Sequence, residues 1–249
     1  MNVRVLSVAM AMLVASAGLA WAEDDDDLIG QENFPGEFSA SLNFVTEYIF
    51  RGISQTTDGV PALQGSIDWS HEDSGLYLGV WGSNVKFADA TLEMDWYGGW
   101  SGTVADVVDV GLGGIYYYYP GAAGSLNYDY FEVTGNIGHD WGPLSTGVSL
   151  YYSPNYFANS GDSFYVSTDV SVPLWKSLAL NLHHGYQTIE RNASFGTPDY
   201  NDFSAGVSAT ILGFDTSLTF VDTDLSETEC FGGTTFCNST VVLSIGRSI

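Results

Sequence analysis

The feature that most restricts this chain is a two-residue alternation of apolar and polar side chains, repeated in about twelve runs from Glu37 to the C-terminus. In the first run, Phe38, Ala40, Leu42, Phe44, Thr46, Tyr48 and Phe50 share one parity. Ser39, Ser41, Asn43, Glu47 and Arg51 share the other, with Val45 and Ile49 as apolar intrusions. Successive side chains of a strand point to opposite faces, so each run is a ribbon greasy on one side and polar on the other. After RGISQTTDGVP the pattern resumes with Leu63, Ile67 and Trp69 against Gln64, Ser66 and Asp68. Later runs oppose Leu92, Met94 and Trp96 to Glu93, Asp95 and Tyr97, and Phe131 and Val133 to Tyr130 and Glu132. Others oppose Phe164 and Val166 to Tyr165 and Asp169, and Phe203 and Val207 to Asp202 and Ser204. The run around Leu76, Leu78 and Val80 against Tyr77, Trp81 and Ser83 belongs to the same series.

The connections fall into two classes. Those after odd-numbered runs are long and polar: 52–60, 120–126, 154–162, 190–198 and 224–238, with a shorter one at 86–90. Those after even-numbered runs are tight: HEDSG, SGTVAD, HDWGP, VPLWK and LG. A soluble sandwich has no reason to segregate its loops in this way, whereas an outer-membrane barrel does. The expected fold is therefore all-β: a transmembrane, antiparallel, up-and-down β-barrel of about twelve strands, with short periplasmic turns and long extracellular loops. An even count puts both ends of the wall on the periplasmic side.

Residues 1–22 read as a secretory signal peptide, with Arg4, an apolar run and an Ala20-Trp21-Ala22 cleavage site. Residues 23–36 read as an acidic, flexible periplasmic leader, and residues 37–249 as the barrel. No segment after the signal has the roughly 18 consecutive apolar residues of a membrane helix. Passage through a membrane would thus need a closed barrel, in which every backbone group is paired. The expected location is the outer membrane of a Gram-negative cell, reached through the periplasm. The expected partners are outer-membrane lipid, lipopolysaccharide, the barrel assembly machinery and small solutes.

Six Lys and Arg against thirty Asp and Glu, a formal net charge of −24, argue against nucleic acid as a partner. Cys230 and Cys237, the only cysteines, are expected to form a disulfide in an oxidising compartment. Two thiolates without a nearby His do not make a zinc shell, so no metal and no cofactor is expected.

Four stretches carry a family resemblance: TEYIFRGISQ (46–55), PALQGSIDW (61–69), GLYLGVWGSNV (75–85) and LEMDWYGGW (92–100). In them the chain resembles the TorF-type porins, a proteobacterial outer-membrane family also known as the conserved Gcw family. The motifs cover the first third closely, and the barrel pattern extends over the rest. The resemblance implies an outer-membrane barrel and assigns no substrate. The last residue, Ile249, departs from the aromatic residue usual at the end of such barrels.

In a barrel the polar parity faces the lumen, and function should be written there. Glu47, Glu93, Asp95 and Asp202 are expected in its outer half, Glu132 near the middle, and Asp68 and Asp169 in its inner half, with Arg51 at the outer mouth and His183 as a titratable base. Carboxylates inside a low-dielectric wall concentrate cations and exclude anions. The expectation is a non-enzymatic, passive pore preferring cationic or neutral solutes. The competing reading has the same groups hydrogen-bonding within a filled interior. Trp81, Tyr97, Tyr130, Tyr151 and Tyr165 would either line a path for solutes or fill the barrel. Two rivals remain. One is a lipid hydrolase using His184 and a neighbouring Ser. The other is a surface-binding barrel working through its long loops.

Overall fold

The computed structural model describes residues 35–57 and 59–249. The signal peptide expected at 1–22, and the leader up to position 34, lie outside the described residues. Strand β1 (Glu37–Val45) is followed by a small hairpin of β2 (Ile49–Phe50) and β3 (Ile53–Ser54). The wall then continues through β4 (Ala62–His71), β5 (Leu76–Phe87), β6 (Ala90–Val104), β7 (Val108–Tyr118) and β8 (Tyr130–Asp140). It is completed by β9 (Ser145–Ser153), β10 (Ser163–Trp175), β11 (Leu178–Ile189), β12 (Tyr200–Ile211), β13 (Phe214–Thr223) and β14 (Thr240–Ser248). Twelve of these strands, all but β2 and β3, form one closed antiparallel barrel in which each wall strand pairs with its neighbour in the chain.

The seam joins the first strand to the last. Ser41 lies opposite Ser248 and Phe44 opposite Ile245, and Ala40 and Ile249 exchange two backbone hydrogen bonds of 2.9 Å. Closure leaves no strand edge with unpaired N–H and C=O groups, the condition for a sheet to exist in lipid. Wall strands run from 9 to 15 residues, and a tilted strand needs roughly 9–11 to cross a bilayer.

The alternation sorts side chains as expected. Leu42, Phe44, Leu63, Ile67, Leu78, Trp96, Leu112, Phe131, Leu150, Phe164, Leu218 and Phe220 stand exposed on the outer surface. Each such side chain left in water would forgo roughly 1.5–3 kcal/mol of burial, so this face is stable only against lipid. Aromatic residues mark both ends of it. Phe38 and Trp100 lie near the periplasmic turns, and Tyr116 and Tyr118, stacked at 6.5 Å, near the outer rim. Arg247 sits among the outward residues near the periplasmic end, 5.9 Å from the ring of Phe214.

The packed interior is inside the barrel and lies in its outer half. Trp81, Tyr117, Tyr130, Tyr151, Tyr165, Glu93, Asp95, Glu132, Gln187 and Asp202 are all buried there. Toward the periplasm the inward residues Asp68, Tyr97, Asn136, Asp169 and His183 are only partly covered. The lumen is thus filled on the outside and accessible from within.

One expectation fails. Tyr48 and Phe50, read as outward aromatics of an extended first strand, are not on the lipid face. Strand β1 stops at Val45, and the chain folds back into the lumen. Tyr48 is buried with its ring 5.4 Å from that of Trp81, and Phe50 packs 5.8 Å from Tyr117. Alternation reports extended backbone, and it does not report which surface the ribbon joins. The intrusions at Val45 and Ile49 are where the chain leaves the wall.

A lumen closed by the first loop

The β2–β3 hairpin pairs Ile49 with Ser54 and Phe50 with Ile53, leaving Arg51 and Gly52 as a two-residue turn. Their φ angles are +49° and +77°, which is the pattern of a type I′ turn, with positive φ at both central residues. Gly52 has a second reason to lack a side chain: a Cβ there would sit 2.5 Å from Thr223 Cγ2 and 2.7 Å from Asp202 Cβ. Arginine in the left-handed region costs about 1–2 kcal/mol, so its neighbours must hold it.

They do so from several strands at once. Arg51 Nη1 and Nη2 donate to Glu132 Oε1 and Oε2 at 3.0 and 2.6 Å, a two-pronged ion pair. Nη1 also donates to Gln187 Oε1 at 2.9 Å, and the Arg51 carbonyl accepts from the Tyr200 hydroxyl at 3.1 Å. The guanidinium carbon lies 4.3 Å from the Tyr165 ring centre, 4.7 Å from Phe50, 4.9 Å from Tyr151 and 5.8 Å from Tyr156. Each cation–ring contact contributes about 0.5–2 kcal/mol, more as water is excluded. Burial pushes the phenol of Tyr156, a loop residue, up to about 12, so it meets the guanidinium as a neutral ring.

The remaining carboxylates form distinct groups. Glu132 also accepts from Tyr117 at 3.1 Å. Glu93 accepts from Tyr48 at 3.2 Å through one oxygen, while its other oxygen and both oxygens of Asp95 are buried without a hydrogen-bond partner. Nearer the periplasm, His183 bridges Asp169 at 2.7 Å and Asp202 at 3.0 Å, and Tyr165 donates to Asp202 at 3.0 Å. Asp68 accepts from Ser66 at 2.7 Å and from Tyr97. Glu47 lies off this interior set, tying the base of the hairpin to the wall through Ser54 at 2.6 Å and Thr240 at 2.8 Å.

Arg51 thus lies within the barrel, not at an open mouth, and pairs with Glu132, the third residue of β8. Trp81 and Tyr130 belong to the filled half, Tyr130 being stacked on Tyr117 at 4.3 Å. Gln187, Tyr117 and Tyr200 were not singled out from sequence. The parity signal was there, since Gln187 lies four residues after His183 and Tyr200 two before Asp202. Tyr156 lies in a loop, where no periodicity points.

The extracellular loops close over this assembly. Phe157 packs on Tyr128 at 4.4 Å and on Phe195 at 6.3 Å, and Phe195 on Phe231 at 5.5 Å. Cys230 and Cys237 are joined in a disulfide and buried with Ile53 and Tyr200. The same loop grips the hairpin: Ser54 N donates to the Phe236 carbonyl at 2.8 Å. Closing so small a ring constrains the open loop by about 2–3 kcal/mol. Reduction, or paired Cys230→Ser and Cys237→Ser substitution, should therefore speed proteolysis within 224–239 while the heat-modifiable gel shift of the folded barrel stays unchanged.

An apolar coat around a closed wall and a polar interior defines a transmembrane β-barrel of the outer-membrane type. The chain belongs to the family described as "Bacterial protein of unknown function (Gcw_chp)", whose model matches residues 30–249. Among solved structures it is similar to the KdgM porin, with a TM-score of 0.55 and 8% identity over 84% of this chain and 97% of that one. It is likewise similar to the NanC porin, with a TM-score of 0.54 and 7% identity over 84% of this chain and 98% of that one. At such identities the likeness is one of fold. Compared by sequence with curated proteins, the chain matches none.

Proposed function

We propose that this barrel is a porin-like channel of the outer membrane, passing small cationic or neutral solutes, and that the first loop holds it closed. The observation that carries the reading is how charge divides between wall and loop. The wall turns Asp68, Glu93, Asp95, Glu132, Asp169 and Asp202 inward, whereas the guanidinium that pairs with Glu132 arrives on a hairpin that is not part of the wall. Carboxylates fixed in a low-dielectric wall raise the local concentration of cations. A plug built on a loop can leave without breaking a single wall pairing. The signal-like segment 1–22 fits export to such a location.

Reversal potentials of the refolded mature chain in a planar bilayer under a potassium chloride gradient test this. The expected result is brief, infrequent openings with cation preference, and preference for chloride at neutral pH would overturn it. The filled outer half favours a second reading, a non-conducting barrel whose loops bind at the surface. That reading predicts silence even after the plug is unfastened. The hydrolase alternative finds less support. His184 faces Asn201 at 3.1 Å and stacks on Phe203, while His183 is engaged by carboxylates and Tyr165, so among the described residues their partners are not serine hydroxyls.

A further inference from the structure

We propose that the place filled by the Arg51 side chain is a binding site for guanidinium-bearing solutes, with Arg51 acting as a built-in occupant that such a solute displaces. The inference rests on the channel reading above, and it names the class of cation that the interior selects.

The acceptors are fixed by the wall, not by the loop. Gln187 Nε2 donates to Ser163 Oγ at 2.6 Å and to the Phe164 and Thr188 carbonyls at 3.2 and 3.1 Å. With its amide nitrogen engaged in this way, Gln187 must turn its oxygen to the guanidinium. Tyr117, on wall strand β7, donates to Glu132 Oε2, the oxygen that also accepts from Arg51 Nη2, and so helps to hold the carboxylate in place. A carboxylate presented with both oxygens to two parallel N–H groups fits a planar fork and not a compact ammonium. Tyr151 and Tyr165, both on wall strands, supply ring faces for a weakly hydrated cation.

A second, separate observation points the same way. Asp95 is fully buried with neither oxygen partnered, and one oxygen of Glu93 is in the same condition. Buried acceptors are ordinarily satisfied. The closed state therefore leaves these two carboxylates short of donors while Arg51 is engaged at Glu132. Finally, Arg51 is held at φ +49°. The built-in occupant is seated against a backbone preference, whereas a free guanidinium would meet the same acceptors without that opposition.

The test uses the full mature chain carrying Arg51→Ala, with methylguanidinium as the probe and tetramethylammonium as the control. Millimolar methylguanidinium should raise the thermal midpoint of Arg51→Ala, with the parent responding only at concentrations at least tenfold higher, because there the probe must first displace Arg51. Tetramethylammonium should stabilise neither protein, and adding Glu132→Gln should weaken the methylguanidinium effect at least tenfold. Equal responses to both cations, or an effect that survives Glu132→Gln, would overturn the proposal. Should Arg51→Ala fail to fold, Arg51→Lys, which keeps charge without the fork, takes its place under the same criteria. Bilayer recordings of the same variant separate the two ideas. Stabilisation by methylguanidinium without current supports the site and overturns the channel reading. Cation-selective current that methylguanidinium neither blocks nor accompanies with stabilisation overturns the site and supports the channel reading.

Discussion

Replacing Arg51 with alanine is expected to raise the open probability of the barrel in a planar bilayer by a factor of ten or more. In the closed state the guanidinium is the partner of Glu132, both groups being nearly sealed from solvent. Removing one member of a buried ion pair costs about 3–5 kcal/mol, because the other charge is stranded. Here the stranded group has an escape. If the β2–β3 hairpin swings outward, water reaches Glu132 and the penalty disappears. The turn would also lose its ring contacts with Tyr151 and Tyr165. The closed arrangement is therefore weakened by several kcal/mol relative to the open one, while no strand-to-strand pairing of the wall is touched. The barrel should keep its gel shift on heating. A current indistinguishable from the parent, in a folded variant, would show that the hairpin is not what blocks the lumen.

The second large effect is expected at Asp95, and its sign is unusual for an interior substitution. Asp95→Asn should stabilise the barrel by about 1–3 kcal/mol, the desolvation penalty of an unmatched buried group, as measured by urea unfolding in lipid vesicles. Both Asp95 oxygens lack partners, and the neighbouring Glu93 keeps one unpartnered oxygen, to which an amide could donate. The same change, made together with Arg51→Ala, should lower the cation preference read from reversal potentials. A residue that weakens the fold and strengthens selectivity is expected where an interior serves passage. Lower stability in Asp95→Asn would show that the carboxylate contributes to the fold.

Much of the wall was legible in the sequence because a membrane barrel writes its geometry in a simple code. Leu63, Gln64, Ser66 and Ile67 already declare a face for each side chain, and β4 places them accordingly. The tight LG turn and the long Cys230–Cys237 loop declare which end is which, and the disulfide expected there is formed. The Gcw part of the family resemblance seen in TEYIFRGISQ and LEMDWYGGW agrees with the Gcw_chp match across residues 30–249, a match that carries no TorF name. The lumen was harder to read. TEYIFR keeps the alternation except at Ile49, and that one break does not say that Tyr48 and Phe50 turn inward instead of facing lipid. The contact of Arg51 with Glu132 spans 81 residues and that with Gln187 spans 136. Pairing at such separation follows from how the cylinder closes, which no local pattern contains.

The junction of β1 with β14 carries a consequence for biogenesis. Because the wall is completed by its two terminal strands, no version lacking β1 or β14 can close this twelve-stranded cylinder. The hairpin bearing Arg51 grows directly from one lip of that last gap. While the gap stands open, the hairpin can enter sideways and find Glu132 on the far wall. The stopper would then be installed before the vessel is sealed, and each new molecule would reach the membrane already shut.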